Sequence, residues 1–142
     1  MRKIFLLIVF MAIGLIDAMA QKATPEQWNN LIYCIEEHES NHKENAKSPN
    51  GLYWGPLQIA KVCVDGCNKI IGHKHFTYAD RLSREKSYEM FNVVQNKYNP
   101  SHDMCLAVRL WAAGLVALKN PRVGMKQYHE VMSIYRKHFG NK

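Results

Sequence analysis

Glu39 stands in two patterns that would use it differently. With its neighbours it makes His38-Glu39-Ser40-Asn41-His42, the H-E-x-x-H pattern in which two histidines one helical turn apart hold zinc and the glutamate is the general base. With residues further on it makes Glu39-Ser40, Ser48, Gly51 and the run Gly55-Pro56-Leu57-Gln58-Ile59, a lone carboxylic acid followed by a glycine-rich apolar segment. The zinc pattern lacks its remaining ligand. Its extended form needs Gly and a third His where Asn45 and Ser48 stand, and no Glu lies between Glu44 and Glu85. Asp65 is an unsupported substitute. No metal and no other cofactor is therefore expected, and His38 and His42 read as helix-surface or cleft-rim residues. The remaining histidines, 73, 75, 102, 129 and 138, are scattered and form no ligand set.

The elements that must position Glu39 follow from periodicity and punctuation. Thr24-Pro25-Glu26-Gln27 starts a helix: Thr as N-cap, Pro in the first helical position, and Gln three residues after the cap. Trp28, Leu31, Ile32 and Ile35 then recur at helical spacing and define an inward stripe. At roughly 100° per residue Glu39 projects near the centre of that stripe and Glu37 onto the opposite face, so Glu39 is expected to aim inward. Residues 43–51 break into a polar loop. Leu52 to Ile59 reads as extended backbone or a small hairpin. Helices are expected over 59–72, 83–98 with Tyr88, Phe91, Val94 and Tyr98 inward, 102–119, and 123–138 with Met125, Tyr128, Met132 and Tyr135 inward. Asn99-Pro100 and Asn120-Pro121 end helices, and Gly140 follows the last one. The expected class is mostly α, with no repeat, low-complexity tract or linker.

Residues 1–20 read as a signal peptide. Arg2 and Lys3 precede the apolar run Ile4 to Ile16, and Ala18-Met19-Ala20 supplies a small-x-small cleavage site. The run falls short of the roughly 20 apolar residues of a bilayer span, so stable membrane insertion is not expected, and the product would be secreted or periplasmic. From Gln21 on, 17 basic side chains face 11 acidic ones, a net +6 on 122 residues. That length is one domain able to bury its own core. The positive balance suits an anionic partner. After export the four cysteines are expected as two disulfides. Three pairings are open, and the preferred one joins Cys63 to Cys67 around Asp65-Gly66 and Cys34 to Cys105 across two distant helices.

An acid on an apolar helix face is desolvated and so keeps its proton toward neutral pH, as glycosidic cleavage requires. Gly51, Gly55 and Gln58 suit a segment on which a bulky sugar chain lies close to backbone groups. Glu39-Ser40, Ser48, Gly51, Gly55-x-Leu57-Gln58-Ile59 and Arg109-Leu110-Trp111-Ala112-Ala113-Gly114, with Ser83 to Phe91 and Tyr98-Asn99-Pro100 between them, resemble the lysozyme-like soluble lytic transglycosylases. The set spans roughly residues 28 to 115, and its order is specific although each motif alone is weak.

That resemblance implies a single lysozyme-like domain over 21–142, with a short extended or hairpin segment lining its cleft. It implies Glu39 as catalytic acid and then base, Ser48 beside the reacting sugar, and Gly55, Leu57, Gln58, Tyr98 and Trp111 along the substrate. The substrate would be peptidoglycan glycan strands, cut at the MurNAc-GlcNAc β-1,4 bond by a monomer that binds no nucleic acid. Two departures stand out. Ala112 replaces a usual Asn, and Trp54 is bulky where the motif is often small. A fainter resemblance to invertebrate-type lysozymes lacks their second carboxylate, since Ser48 stands there. The alternatives are a muramidase that hydrolyses the same bond, a non-catalytic glycan-binding protein and, last, the zinc protease.

Overall fold

The computed structural model describes residues 22–140; the expected leader, 1–20, lies outside them. Five helices carry the fold: α1 Pro25–Ser40, α2 Lys61–Ile71, α3 Arg84–Tyr98, α4 Met104–Ala113 and α5 Met125–Phe139. A two-stranded antiparallel hairpin, β1 Tyr53–Trp54 and β2 Ile59–Ala60, pairs Tyr53 with Ala60 and Trp54 with Ile59. Two 3-10 turns, Tyr78–Leu82 and Gly114–Leu118, precede α3 and follow α4. The class is mostly α, as periodicity indicates.

α1 begins where its caps require. The Thr24 hydroxyl accepts from the Gln27 backbone N–H at 3.1 Å, and the Gln27 side chain accepts from the Thr24 N–H at 2.9 Å. This reciprocal cap is worth about 1 kcal/mol. The helix stops because Asn41 turns left-handed at φ 52 and returns its N–H to the Glu37 carbonyl, with His42 left-handed as well at φ 63. Its inward stripe, Trp28, Leu31, Ile32 and Ile35, is buried as expected.

The core centres on Trp28, Phe91 and Trp111. Phe91 lies 5.7 Å from Trp28 and 5.0 Å from Trp111, both tilted. Val131 and Tyr135 of α5 join the same cluster. On α3 the deepest side chains are Met90, Phe91 and Gln95, whereas Tyr88, Val94 and Tyr98 are half-buried. Gln95 is tolerated inside because it accepts from the Asn99 amide at 3.0 Å. Asn99 in turn bonds both backbone groups of Asp103. A polar cluster thus shapes the Tyr98-Asn99-Pro100 corner, and the Asp103 side chain then caps α4 by accepting from the Leu106 N–H at 2.6 Å.

Three expected boundaries move. The fourth helix ends at Ala113 and continues as a 3-10 turn from Gly114, which adopts φ 70. Ile59 and Ala60 belong to β2, so α2 starts at Lys61. The stretch 63–67, expected as a disulfide loop, is regular helix through Gly66. A regular helix holds the Cβ atoms of residues four apart about 5–6 Å from each other, wider than the ~3.8 Å of a disulfide.

Candidate functional site

The hairpin is fastened from two sides. Arg81, fully buried, donates from Nε to the Tyr78 carbonyl at 2.8 Å and from Nη1 to the Ile59 carbonyl at 3.2 Å, with its guanidinium 4.3 Å from the Trp54 ring. Gly55 makes this approach possible. At φ 83 it lies so close to the 3-10 turn that a Cβ there would stand 1.6 Å from the Arg81 carbonyl oxygen. Its own N–H donates to the Ala46 carbonyl at 2.7 Å. From the other side, the Trp111 indole N–H donates to the Leu57 carbonyl at 3.1 Å, joining α4 to the hairpin loop.

The expected substrate residues fall largely into this one framework. Gln58, left-handed at φ 49, donates its side-chain amide to the Gly55 carbonyl at 2.8 Å and to that of Ala46 at 3.4 Å. Ser48 accepts the Tyr53 N–H at 3.0 Å and donates to Asn50 at 2.7 Å, so its hydroxyl closes the 48–53 turn. Leu57 is completely buried. Trp54 is committed to Arg81, to Lys47 4.0 Å from its ring centre, and to the Gly51 carbonyl. Tyr98 ends α3 half-buried and is not among the side chains that hold the hairpin.

Glu39 occupies the last turn of α1, immediately before the left-handed pair that sends the chain into this loop. Its side chain is 25% exposed, and His38 Nδ1 stands 3.4 Å from its Oε1. The interior carboxylate of α1 is instead Glu36, at 1% exposure. The expected inward Glu39 is corrected accordingly: near its C-terminus the helix has run past the core, whereas Glu36 meets α3. Arg84 donates from Nε to Glu36 at 2.9 Å, the Tyr88 hydroxyl donates to its other oxygen, and His42 Nδ1 lies 3.4 Å away. Burial first, and then the bond to Glu36, pushes the Tyr88 hydroxyl well above the usual phenol range.

The two motif histidines are engaged by carboxylates. His38 Nε2 meets Glu130 of α5 at 2.8 Å. Its hydrogen bond to Glu39, opposed by burial and reinforced by Glu130, raises His38 to about 9, so it is an imidazolium at neutral pH. The His42 ring lies tilted against that of Tyr33, 4.3 Å between centroids, and 3.5 Å from Glu37, which also meets His138 at 2.6 Å. Among the described residues no three His, Cys, Asp or Glu side chains gather as a metal site.

All four cysteines are thiols, with no pair at bonding distance. Cys34 is buried in the core, and burial together with Glu37 pushes its pKa up to about 12. Cys105 stands 3.9 Å from the Met125 sulfur. Cys63 and Cys67 stand one turn apart on α2 and act on one another, which lowers Cys63 and raises Cys67, while the Cys67 thiol donates to the Met90 carbonyl at 3.6 Å.

Hollows indent the surface of the described residues. One, about 490 Å³, lies between Asn29, Asn30, Tyr33, Tyr88, His138 and Phe139; another, about 500 Å³, between Asp65, Asn68, Lys74, Phe76, Thr77 and Tyr78. Neither contains Glu39 or Gln58. Against known proteins, no family model matches this chain, and neither a curated protein nor a solved structure does.

Proposed function

We propose that the chain is a secreted or periplasmic peptidoglycan-cleaving enzyme, a lytic transglycosylase of lysozyme-like type with Glu39 as its single catalytic carboxylate. The observation that carries this reading is the hydrogen bond from Trp111 to the Leu57 carbonyl. It unites two of the motifs on which the family resemblance rests, 54 positions apart, in a framework with Gly55, Gln58 and Ser48. Glu39 is accessible to a substrate where α1 enters that framework, although without the apolar burial expected of it, whereas Glu36 is locked to Arg84 and Tyr88 and has no free face.

In the proposed reaction the Glu39 carboxyl gives its proton to the bridging oxygen as the bond from that oxygen to the muramic acid anomeric carbon breaks. The acetamido group of the same sugar supports the anomeric carbon. The sugar's 6-hydroxyl then closes on that carbon, and its proton returns to Glu39. No water is consumed, and the product carries a 1,6-anhydromuramic acid end. Hydrolysis by a second carboxylate has less support, since Ser48 occupies the relevant position and its hydroxyl is held in the turn.

Mass spectrometry of muropeptides released from purified sacculi tests this directly. Anhydro ends, absent with the Glu39→Gln variant, are expected. Reducing ends would make it a muramidase, and intact sacculi that bind the protein would make it a glycan-binding module.

A further inference from the structure

The 3-10 turn after α4 reverses the usual placement of aliphatic side chains. Within five consecutive residues Leu115, Val116 and Leu118 are 52%, 50% and 44% exposed, and only Ala117 points inward, at 3%. The turn is nonetheless rigidly held. Arg109, 8% exposed, donates from Nη2 to the carbonyls of Ala117 at 2.9 Å and Asn120 at 2.6 Å, and from Nε to that of Val123 at 2.9 Å. Gly124 closes the base, packed so tightly that a Cβ would lie 2.8 Å from the Arg109 Cα. A buried cation thus gathers the carbonyls inward and leaves the aliphatic side chains outward.

The surrounding charge is of one sign. No Asp or Glu occurs between Asp103 and Glu130, whereas Lys119, Arg122 and Lys126 are exposed. Lys126 reaches Glu130 only at 3.9 Å, and neither Lys119 nor Arg122 takes part in an ion pair among the described residues.

We propose that this knuckle docks the protein on an anionic lipid surface. Leu115, Val116 and Leu118 enter the boundary between headgroups and acyl chains, while Lys119 and Arg122 meet lipid phosphates. Contiguous exposed aliphatics rimmed by cations fit that boundary. A glycan would be better gripped by aromatic planes, and this turn has none. A second copy is disfavoured, because a two-fold contact through this patch would bring Lys119 and Arg122 toward their own images. No described helix is long and apolar enough to cross a membrane. The proposal does not depend on what Glu39 does.

The test is co-sedimentation of the chain from Gln21 with vesicles of phosphatidylcholine alone and of phosphatidylcholine with phosphatidylglycerol. That chain keeps the core cluster, which runs from Ala23 to Tyr135, and sheds the apolar run 4–16, which would bind vesicles by itself. Salt-sensitive binding to the anionic vesicles, with little to the neutral ones, is expected. The Lys119→Gln, Arg122→Gln double variant should bind about thirtyfold more weakly, at about fivefold per charge. Replacing Leu115, Val116 and Leu118 by Ser should weaken binding by more than about tenfold. Both variants replace exposed side chains and should melt as the parent does. Undiminished vesicle binding by the folded charge variant would overturn the proposal. So would loss, in either variant, of binding to isolated sacculi or of a dimer, with no vesicle binding by the parent.

Discussion

His38 and Glu130, 92 positions apart, meet at 2.8 Å and tie α1 to α5. Glu39, whose hydrogen bond raises His38 most, and Glu130 together make stability depend on pH. His38 titrates at about 9 in the fold against an ordinary 6.5, so its contribution is complete below about pH 6.5 and disappears as pH rises through about 9. Melting temperature should fall between pH 7 and 10, and His38→Gln should flatten that fall. An equally steep fall in the variant would remove His38 as its cause.

Acid should act through the partners of these histidines. Burial would raise Glu37, but hydrogen bonds from His138 and His42 hold it below the usual carboxylate range; the bond from His38 does the same for Glu130. Their contribution is present above the ordinary carboxylate pKa and is lost as pH falls through the lowered values. Denaturation midpoints in urea should decline below about pH 4.5, less so in a Glu37→Gln variant. A midpoint flat to pH 3 would count against both pairs.

Two carboxylates one turn apart should behave in opposite ways. Glu39→Gln is expected to cost no more than about 1 kcal/mol, through its bond to His38, and to lower glycan cleavage by roughly 10² to 10⁴. Glu36→Gln should instead destabilise by about 2 kcal/mol, because Arg84 and Tyr88 lose a charged partner. Denaturant titration of both variants beside a turbidity assay on peptidoglycan reads the contrast. Near-parental clearing by Glu39→Gln would end its assignment as the acid.

Gly55 and Gly51 offer a matched pair. Both have positive φ, but a Cβ at Gly51 meets open space and one at Gly55 meets the Arg81 carbonyl. Gly51→Ala should cost about 1 kcal/mol, and Gly55→Ala more than about 3, with the hairpin displaced from the 3-10 turn. Equal costs would show that the hairpin is not pinned there.

The cysteines should label in order of burial and acidity. Cys63 reacts first with iodoacetamide near pH 7.5, and Cys34 reacts only on unfolding. Non-reducing peptide mapping that linked Cys34 to Cys105 would show the native chain to be packed differently.

Much of this arrangement could be read from local rules. The start of α1 is dictated by Thr24, Pro25 and Gln27, and its buried stripe by spacing, because both depend on neighbours within one or two turns. Glu36 escaped notice because its burial is decided by Arg84 and Tyr88, about 50 positions away; the spacing of those two by one turn on α3 was the available hint. Helical projection favoured Glu39 since it assumes a core running the full helix length, and α1 outlasts its core. Gly55 drew attention for conformational freedom near a ligand. Its place is set instead by the Arg81 backbone, which no local pattern reveals.

The pairing of the first helix with the last has a consequence for the order of assembly. Glu37 waits for His138 and His38 for Glu130, so α1, the first of the described helices to be made, is among the last to gain its full set of partners. Contacts at such long separation are slow to form, since the intervening chain must first be brought together. A nascent chain shorter than about residue 125 lacks Val131 and Tyr135 as well, and exposes the stripe of α1 that they help to cover. Such a chain keeps that stripe uncovered until α5 has been made, the condition under which a polypeptide can be threaded through a narrow channel before it folds.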